Sequence, residues 1–294
     1  AMHRFIIYQY GKVGSTSLVE ALNKLPNTEA YQSHFLGEAA FADTLTRLMN
    51  PEESDYFFRH SCGQLTENLR IYRHYLRRDL DDNPLTVITM ARQPFDWFRS
   101  CVAQDIDQHL HSLKLMLDKR HISYKSNGAA IKSGMALVFQ QLLLAIAHFG
   151  SLDQMCRGER YPELEEALPH EDQEDFQSLM FFVNMFMRPH LWFQTHFEPF
   201  LGFGLKDLAP MDSGPYKKAE QWGNIYLLKY EELSDSMRVV MNDLGYRRRA
   251  KLPRRNTGRT KRFARELKGA FNTEAATQLR ALCHSEDTRL LGYN

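Results

Sequence analysis

The sequence predicts an α/β fold, because strand-like apolar runs alternate along it with stretches of helical periodicity. Three β-prone runs stand out, at residues 5–8, 85–91 and 225–230. Apolar residues at helical spacing follow each of them. Ligands of open α/β sheets bind at the carboxyl ends of the strands, so the residues directly after these runs are the first candidates for function.

The first strand leads into a glycine-rich turn. Residues 5–8 are apolar and aromatic, as in a strand buried on both faces. Gly11 and Gly14 allow the backbone to turn tightly and to approach a ligand closely. A helix follows and ends at Pro26. A strand, a glycine turn and a helix start together form an anion site, because free N–H groups and the positive helix end point at one place.

The side chains in this turn suit a phosphate group. Lys12 supplies a cation, and Ser15, Thr16 and Ser17 supply hydroxyl donors. A surface turn with a solvated lysine is the alternative, since a glycine-rich turn alone is a weak signal. The turn differs from the G-x-x-x-x-G-K-[ST] loop of nucleotide kinases, because Lys12 follows the first glycine and not the second.

Composition narrows the possible functions. The 294 residues are 43% hydrophobic and 25% charged, which is typical of a water-soluble globular protein. A net charge of +1 predicts no general attraction to nucleic acid or to a membrane. The four cysteines are scattered without a C-x-x-C pair, which argues against structural zinc and a disulfide framework. The longest apolar run is too short to cross a bilayer, so we predict no transmembrane segment.

We expect no secretory signal, because the first predicted strand begins almost at the first residue of the sequence. Ala1 before Met2 is typical of a residue left by cloning. We therefore expect a cytoplasmic, bacterial protein, unless a membrane anchor has been trimmed from the chain. The sequence does not indicate the oligomeric state.

The second strand is followed by a candidate anion-binding pair. Arg92 comes directly after residues 85–91, and Pro94 suits the first turn of the next helix. Ser100 lies in that helix, eight residues after the arginine. The alternative for Arg92 is a surface ion pair, and for Ser100 a position on the helix surface.

Two further segments are unusual. Residues 103–200 have mostly helical patterns and are typical of an insertion. His109 and His111 would point to different faces of a helix, and we predict no metal site. Residues 247–265 contain ten Lys or Arg and no Asp or Glu, which usually indicates a solvated or nucleic-acid-binding tail. A predicted helix at 273–282 follows, so a basic loop that covers a phosphate site explains the run equally well.

Taken together, the motifs resemble those of the PAPS-dependent sulfotransferases. Residues 10–18 (YGKVGSTSL) look like the 5′-phosphosulfate loop of that family. Residues 91–100 (ARQPFDWFRS) look like its 3′-phosphate element. Residues 225–233 (IYLLKYEEL) resemble its late strand, and residues 287–293 (DTRLLGY) resemble the carboxyl terminus of many carbohydrate-type members. The order of the four motifs is more specific than any one of them.

The resemblance implies a single α/β domain over residues 1–294, with a parallel, four-to-five-stranded sheet flanked by helices and related to P-loop proteins. Such a domain transfers the sulfonyl group of 3′-phosphoadenosine 5′-phosphosulfate to an acceptor hydroxyl or amine and releases adenosine 3′,5′-bisphosphate. By this resemblance Lys12 contacts the bridging oxygen, and Arg92 and Ser100 bind the 3′-phosphate. The residues implied in donor binding are Lys12, Val13, Gly14, Ser15, Thr16, Ser17, Arg92 and Ser100, with Arg254, Arg255 and Arg259 from the basic loop.

A histidine is the candidate for the catalytic base. Residues 31–36 look like a histidine-containing segment of the uronyl 2-O-sulfotransferases, in which that histidine deprotonates the acceptor, so the resemblance points to His34. Gln32 stands where that group often has a further histidine, so the match is partial. His60 is the second candidate, and a histidine without a catalytic role is the alternative for His34.

Two other functions compete with this hypothesis. The first is an NTP-dependent kinase or NTPase on a related core, which would need magnesium; Arg92 stands where such a protein would place its metal-binding aspartate. The second is a polyanion-binding module that uses residues 247–265. For a sulfotransferase we favour a carbohydrate or glycolipid hydroxyl as the acceptor, with no nucleic-acid partner.

Overall fold

The computed structural model describes residues 1–50, 55–157, 162–247, 250–253 and 262–294 of the chain. The chain divides into two compact units. The first comprises Ala1–Arg92 and Trp192–Arg255, and the second comprises Gln93–Leu191 and Asn256–Asn294. The single domain expected over residues 1–294 stays a prediction.

The described secondary structure contains strands and helices in the first unit and is helical in the second. The strands are β1 (His3–Tyr8), β2 (Thr28–Ser33), β3 (Leu85–Ala91), β4 (Ala209–Pro210), β5 (Tyr216–Glu220) and β6 (Gly223–Lys229). The helices are α1 (Ser15–Asn23), α2 (Glu38–Leu48), α3 (Asp55–Leu76), α4 (Pro94–Gln104), α5 (Ile106–Lys119), α6 (Asn127–Phe149), α7 (Leu152–Met155), α8 (Leu164–Ala167), α9 (Gln173–Trp192), α10 (Glu198–Leu201), α11 (Leu233–Asp243), α12 (Ala264–Ala270), α13 (Glu274–Leu282) and α14 (Glu286–Leu290).

The first unit is organised around a mixed, six-stranded sheet with the strand order β2-β1-β3-β6-β5-β4 among the described residues. Strands β2, β1, β3 and β6 run parallel, whereas β5 and β4 continue the sheet in antiparallel pairing. The predicted α/β class is confirmed. The expectation of a parallel sheet of four to five strands was wrong in part, because two antiparallel strands lie beyond β6.

The parallel strands were recognisable because they are buried on both faces. All seven residues of β3 are buried, and the last four residues of β1 are fully shielded from solvent. The two antiparallel strands lack such a signal. Strand β4 has only two residues, and β5 carries charges suited to a strand near the sheet edge, such as Lys217, which pairs with Asp243 at 2.6 Å.

Helices pack against this sheet, and its parallel strands end at one edge. Helix α1 buries Leu18, Ala21 and Leu22 and packs on β2, while α11 packs on β6. Because β1, β2, β3 and β6 are parallel, their carboxyl ends lie at one edge of the sheet. The segments that follow these four strands are therefore neighbours in space.

The second unit is a cluster of helices around α6. Helices α5 and α6 approach closely, since a Cβ atom on Gly134 would lie 2.9 Å from the Leu113 Cβ atom. Phe139 of α6 packs against Phe271, with ring centroids 5.1 Å apart. In the described part of the chain, α6 is the one helix long and apolar enough to span a bilayer, and 56% of its apolar window is buried, as in a core helix.

A buried polar cluster also lies in the second unit. His190 Nδ1 is 2.8 Å from Ser285 Oγ, and its Nε2 is 3.5 Å from Cys283 Sγ. Burial lowers the pKa of His190 to about 3, so the imidazole is neutral in the folded protein near neutral pH. These side chains satisfy one another's hydrogen bonds inside the helical core.

Candidate functional site

The glycine turn between β1 and α1 has the backbone of an anion cradle. Gly11, Lys12 and Gly14 have φ angles of 90°, 53° and 89°, in the left-handed region. Gly14 is the N-cap of α1, and among the described residues no side-chain hydrogen bond caps that end of the helix. Successive turns of this kind point backbone N–H groups into one concavity, where the positive end of the helix favours an anion. The predicted strand, turn and helix thus have the backbone geometry that a phosphate site requires.

Gly14 is required by packing as well as by its φ angle. A Cβ atom at this position would lie 2.8 Å from Leu233 Cδ2 and 3.3 Å from Tyr230 Cδ2. Both neighbours belong to the segment that follows β6. The turn therefore lies directly against residues 230–233, the Tyr-Glu-Glu-Leu stretch that the sequence singled out.

Arg92, which directly follows β3, contacts the glycine turn. Its guanidinium Nη1 donates to the Lys12 carbonyl oxygen at 3.2 Å, and its backbone N–H donates to the Tyr10 hydroxyl at 2.9 Å. The guanidinium carbon lies 4.2 Å from the centroid of the Tyr230 ring, a cation–π contact. The main chain at Lys12 and the guanidinium of Arg92 therefore lie together at one edge of the sheet.

His34 follows β2 and reaches the glycine turn. Its Nδ1 lies 2.6 Å from the main-chain carbonyl oxygen of Gln9. A carbonyl oxygen only accepts, so Nδ1 carries the proton and Nε2 is the basic atom of the neutral ring. The Cε1 atom would lie 3.7 Å from a Cβ atom on Gly11, and the side chain is exposed. The predicted base thus lies beside the predicted phosphate turn.

The remaining predicted residues lie in several places. In the turn, Val13 and Ser15 are buried, Ser17 is half-buried and Thr16 is exposed. Ser100 is a half-buried residue of α4 in the second unit, and a 3′-phosphate shared with Arg92 stays a prediction. The predicted donor ligands Arg254, Arg255 and Arg259 lie outside the described residues.

Two other predictions concern His60 as the second candidate base and the absence of a metal site. His60 is an exposed residue of α3, and among the described residues it does not line the cavity that His34 borders. No group of three or more metal-ligating side chains lies together in the described ranges.

Sequence reasoning missed two residues that hold the base. Trp192 donates its Nε1–H to the His34 carbonyl oxygen at 3.1 Å, and it packs on Tyr8 and Tyr10 with ring centroids 4.8 and 5.8 Å away. No local signal could have linked residues so distant in the chain. Gln9 was recognisable only as a polar residue between the aromatic Tyr8 and Tyr10 at the end of a buried strand.

A polar cavity of about 630 Å³ opens beside His34, along the edge strand β2. Its walls come from α1, β2 and α3, and its lining residues are Val19, Asn23, Glu29, Ala30, Tyr31, Gln32, Ser33, His34, Phe35, Gln64, Glu67, Asn68 and Arg70. Most of these side chains can donate or accept hydrogen bonds. The cavity is therefore suited to a polar ligand with several hydroxyl groups.

The charges in this cavity are paired. The Tyr31 hydroxyl donates to Glu29 at 2.8 Å, and this bond, followed by one from Arg4, holds the pKa of Glu29 below its usual range. Burial and then the Glu29 carboxylate raise the pKa of Tyr31. Arg70 donates to Glu67 at 2.7 Å. The described lining carries two carboxylates and one guanidinium, so it has no excess of positive charge for an anionic ligand.

Comparison with known proteins identifies no relative. Searches against protein-family models, curated proteins and solved structures each give no match.

Proposed function

We propose that the protein is a sulfotransferase, which uses 3′-phosphoadenosine 5′-phosphosulfate as donor and an acceptor hydroxyl as nucleophile. One observation carries the proposal: the glycine turn with Lys12, the arginine after β3 and a histidine with a basic Nε2 lie at one edge of the sheet. A nucleotide with two anionic groups requires cationic and N–H groups such as these for binding. Deprotonation of a hydroxyl requires a base such as this histidine. A fold like that of sulfotransferases and P-loop proteins is part of the same proposal.

The residues present fit such a donor. The left-handed backbone at Gly11, Lys12 and Gly14 and the uncapped start of α1 suit the 5′-phosphosulfate. Arg92 would hold the 3′-phosphate, since its guanidinium is already fixed by contacts to the Lys12 carbonyl and the Tyr230 ring. The donor supplies an activated sulfonyl group when it is bound.

The chain's own groups would assist transfer in two ways. His34 Nε2 would accept the proton of the acceptor hydroxyl, while the hydroxyl oxygen forms its bond to sulfur. Lys12 and the N–H groups of the turn would stabilise the negative charge on the phosphate oxygen as its bond to sulfur breaks. The proton remains on His34 until it passes to solvent, and the electron pair of the broken bond remains on the phosphate.

The cavity beside His34 is the proposed acceptor site. Its polar lining favours a carbohydrate or the head group of a glycolipid. The paired Glu29 and Glu67 carboxylates are acceptors for sugar hydroxyls, and they disfavour an anionic sugar. A small-molecule or glycan acceptor thus accords with the chemistry of this surface.

The test is transfer of labelled sulfonyl groups to carbohydrate acceptors, together with titration of adenosine 3′,5′-bisphosphate. We expect the wild-type protein to bind the bisphosphate and Lys12→Ala to lose sulfonyl transfer. Lys24→Ala, which removes an exposed lysine at the other end of α1, is the matched control and should retain transfer.

Three results would contradict the proposal. The first is no binding of the bisphosphate at millimolar concentration by the folded protein. The second is magnesium-dependent ATP turnover, which would indicate a kinase or NTPase. The third is salt-sensitive polyanion binding that Lys12→Ala leaves unchanged, without any sulfonyl transfer.

A further inference from the structure

Gln9 is a fully buried polar residue at the end of β1, and it links the base to the glycine turn. Its main-chain oxygen accepts the His34 Nδ1–H at 2.6 Å. Its side-chain Oε1 accepts the backbone N–H of Gly11. Its own N–H donates to the Ser33 carbonyl oxygen at 3.1 Å. One residue therefore holds both the start of the turn and the ring of the proposed base.

In the side-chain amide of Gln9, the oxygen has a hydrogen-bond partner and the nitrogen does not, among the described residues. The bond from Gly11 N–H fixes which end of the amide is oxygen, because an N–H donor needs an acceptor. The Nε2 group then carries two donors, and it is buried without a hydrogen-bond partner among the described residues. A buried donor without a partner is unfavourable, so native proteins rarely retain one unless a ligand, an ion or a water molecule satisfies it.

We propose that Gln9 is an anion-binding residue of the turn and that its Nε2–H₂ group donates to an oxygen of the bound phosphosulfate. The group lies beside Gly11, because Nε2 shares one carbon with the Oε1 atom that holds the Gly11 N–H. The left-handed residues of the turn and the uncapped end of α1 favour an anion in this place. The identity of the anion rests on the proposed function, whereas the donor role of Gln9 does not.

Gln9→Glu tests the proposal, because it keeps an oxygen for the Gly11 N–H and replaces the Nε2 donor by an acceptor. Gln9→Met removes both the Nε2 donor and the Oε1 acceptor of the Gly11 N–H, without adding charge. Gln141→Glu is the matched control, since Gln141 is also buried but lies on α6 in the second unit. Affinity for adenosine 3′,5′-bisphosphate and for inorganic pyrophosphate is measured by calorimetry, and folding is checked by thermal unfolding.

We expect the dissociation constant of the bisphosphate to rise about 10- to 100-fold in Gln9→Glu and about tenfold in Gln9→Met, with no change in Gln141→Glu. Wild-type affinity in Gln9→Met would overturn the proposal, since the loss in Gln9→Glu would then be charge repulsion alone. If neither Gln9 variant folds, ¹⁵N-glutamine labelling of the wild-type protein decides: the Gln9 side-chain resonances shift on ligand addition or the proposal is wrong.

The two proposals fail in different ways. If the wild-type protein binds the bisphosphate and the Gln9 variants bind it equally well, the role of Gln9 is wrong and the sulfotransferase proposal stands. If the wild-type protein binds pyrophosphate but not the bisphosphate, the sulfotransferase proposal is wrong. A loss of pyrophosphate binding in Gln9→Met would still support an anion-binding role of Gln9.

Discussion

Replacing Gly14 by alanine measures how closely the glycine turn packs against the segment after β6. Alanine would keep the left-handed φ of 89° at a cost of about 1–2 kcal/mol. Its Cβ atom would also lie 2.8 Å from Leu233 Cδ2, well inside the optimal carbon–carbon separation of about 3.5–4.0 Å. Leu233 is only 9% exposed, so moving it disturbs a packed region, and overpacking of this kind costs about 1–3 kcal/mol. We expect Gly14→Ala to lose about 2–5 kcal/mol in total.

Gly245→Ala separates the two contributions. Gly245 has a φ of 80°, and a Cβ atom there would lie more than 4 Å from the other residues that the structure describes. Only the backbone strain of about 1–2 kcal/mol applies to it. Both glycines belong to the first unit, so one urea-unfolding transition reports on both variants. A loss of stability in Gly14→Ala no larger than that in Gly245→Ala would refute the packing of the turn against Leu233.

Three further predictions concern the site and the helical core. Arg92→Ala should weaken binding of adenosine 3′,5′-bisphosphate by about 1–3 kcal/mol, measured by calorimetry, whereas Arg238→Ala on the exposed face of α11 should not. His34→Ala should lower the rate of sulfonyl transfer about 10²- to 10⁴-fold and leave bisphosphate affinity nearly unchanged. Because the folded pKa of His190 is about 3, below the unfolded value of about 6.5, its contribution to stability is complete above pH 6.5 and declines as the pH falls. The loss approaches about 1.4 kcal/mol per pH unit in urea-unfolding experiments, and the slope should be smaller in His190→Gln.

Each of these predictions has a contrary outcome. Equal bisphosphate affinity in Arg92→Ala would remove the arginine from the donor site. Wild-type transfer by His34→Ala, with reduced transfer by His60→Ala, would move the base to the second candidate. A pH dependence of stability that is the same in His190→Gln and in the wild-type protein would assign the effect to other groups.

Local sequence was sufficient to find the glycine turn and the arginine that lie at one edge of the sheet. The strand at residues 85–91 agrees in both bounds with β3, because a strand buried on both faces is a continuous apolar run. The glycine turn and Arg92 were recognisable for the same reason, since each follows such a run directly in the chain. The two antiparallel strands had no comparable pattern, because neighbouring strands and not their own side chains hold β4 and β5 in the sheet.

The amino-acid sequence by itself determined the α/β class, the glycine turn and the arginine after β3, because each depends on residues adjacent in the chain. Only the tertiary structure decided which nitrogen of His34 is basic and that Gln9 and Trp192 hold this residue. The physical reason is that parallel alignment of the strands brings their carboxyl ends to one edge, where buried polar groups from distant segments must find partners in one another.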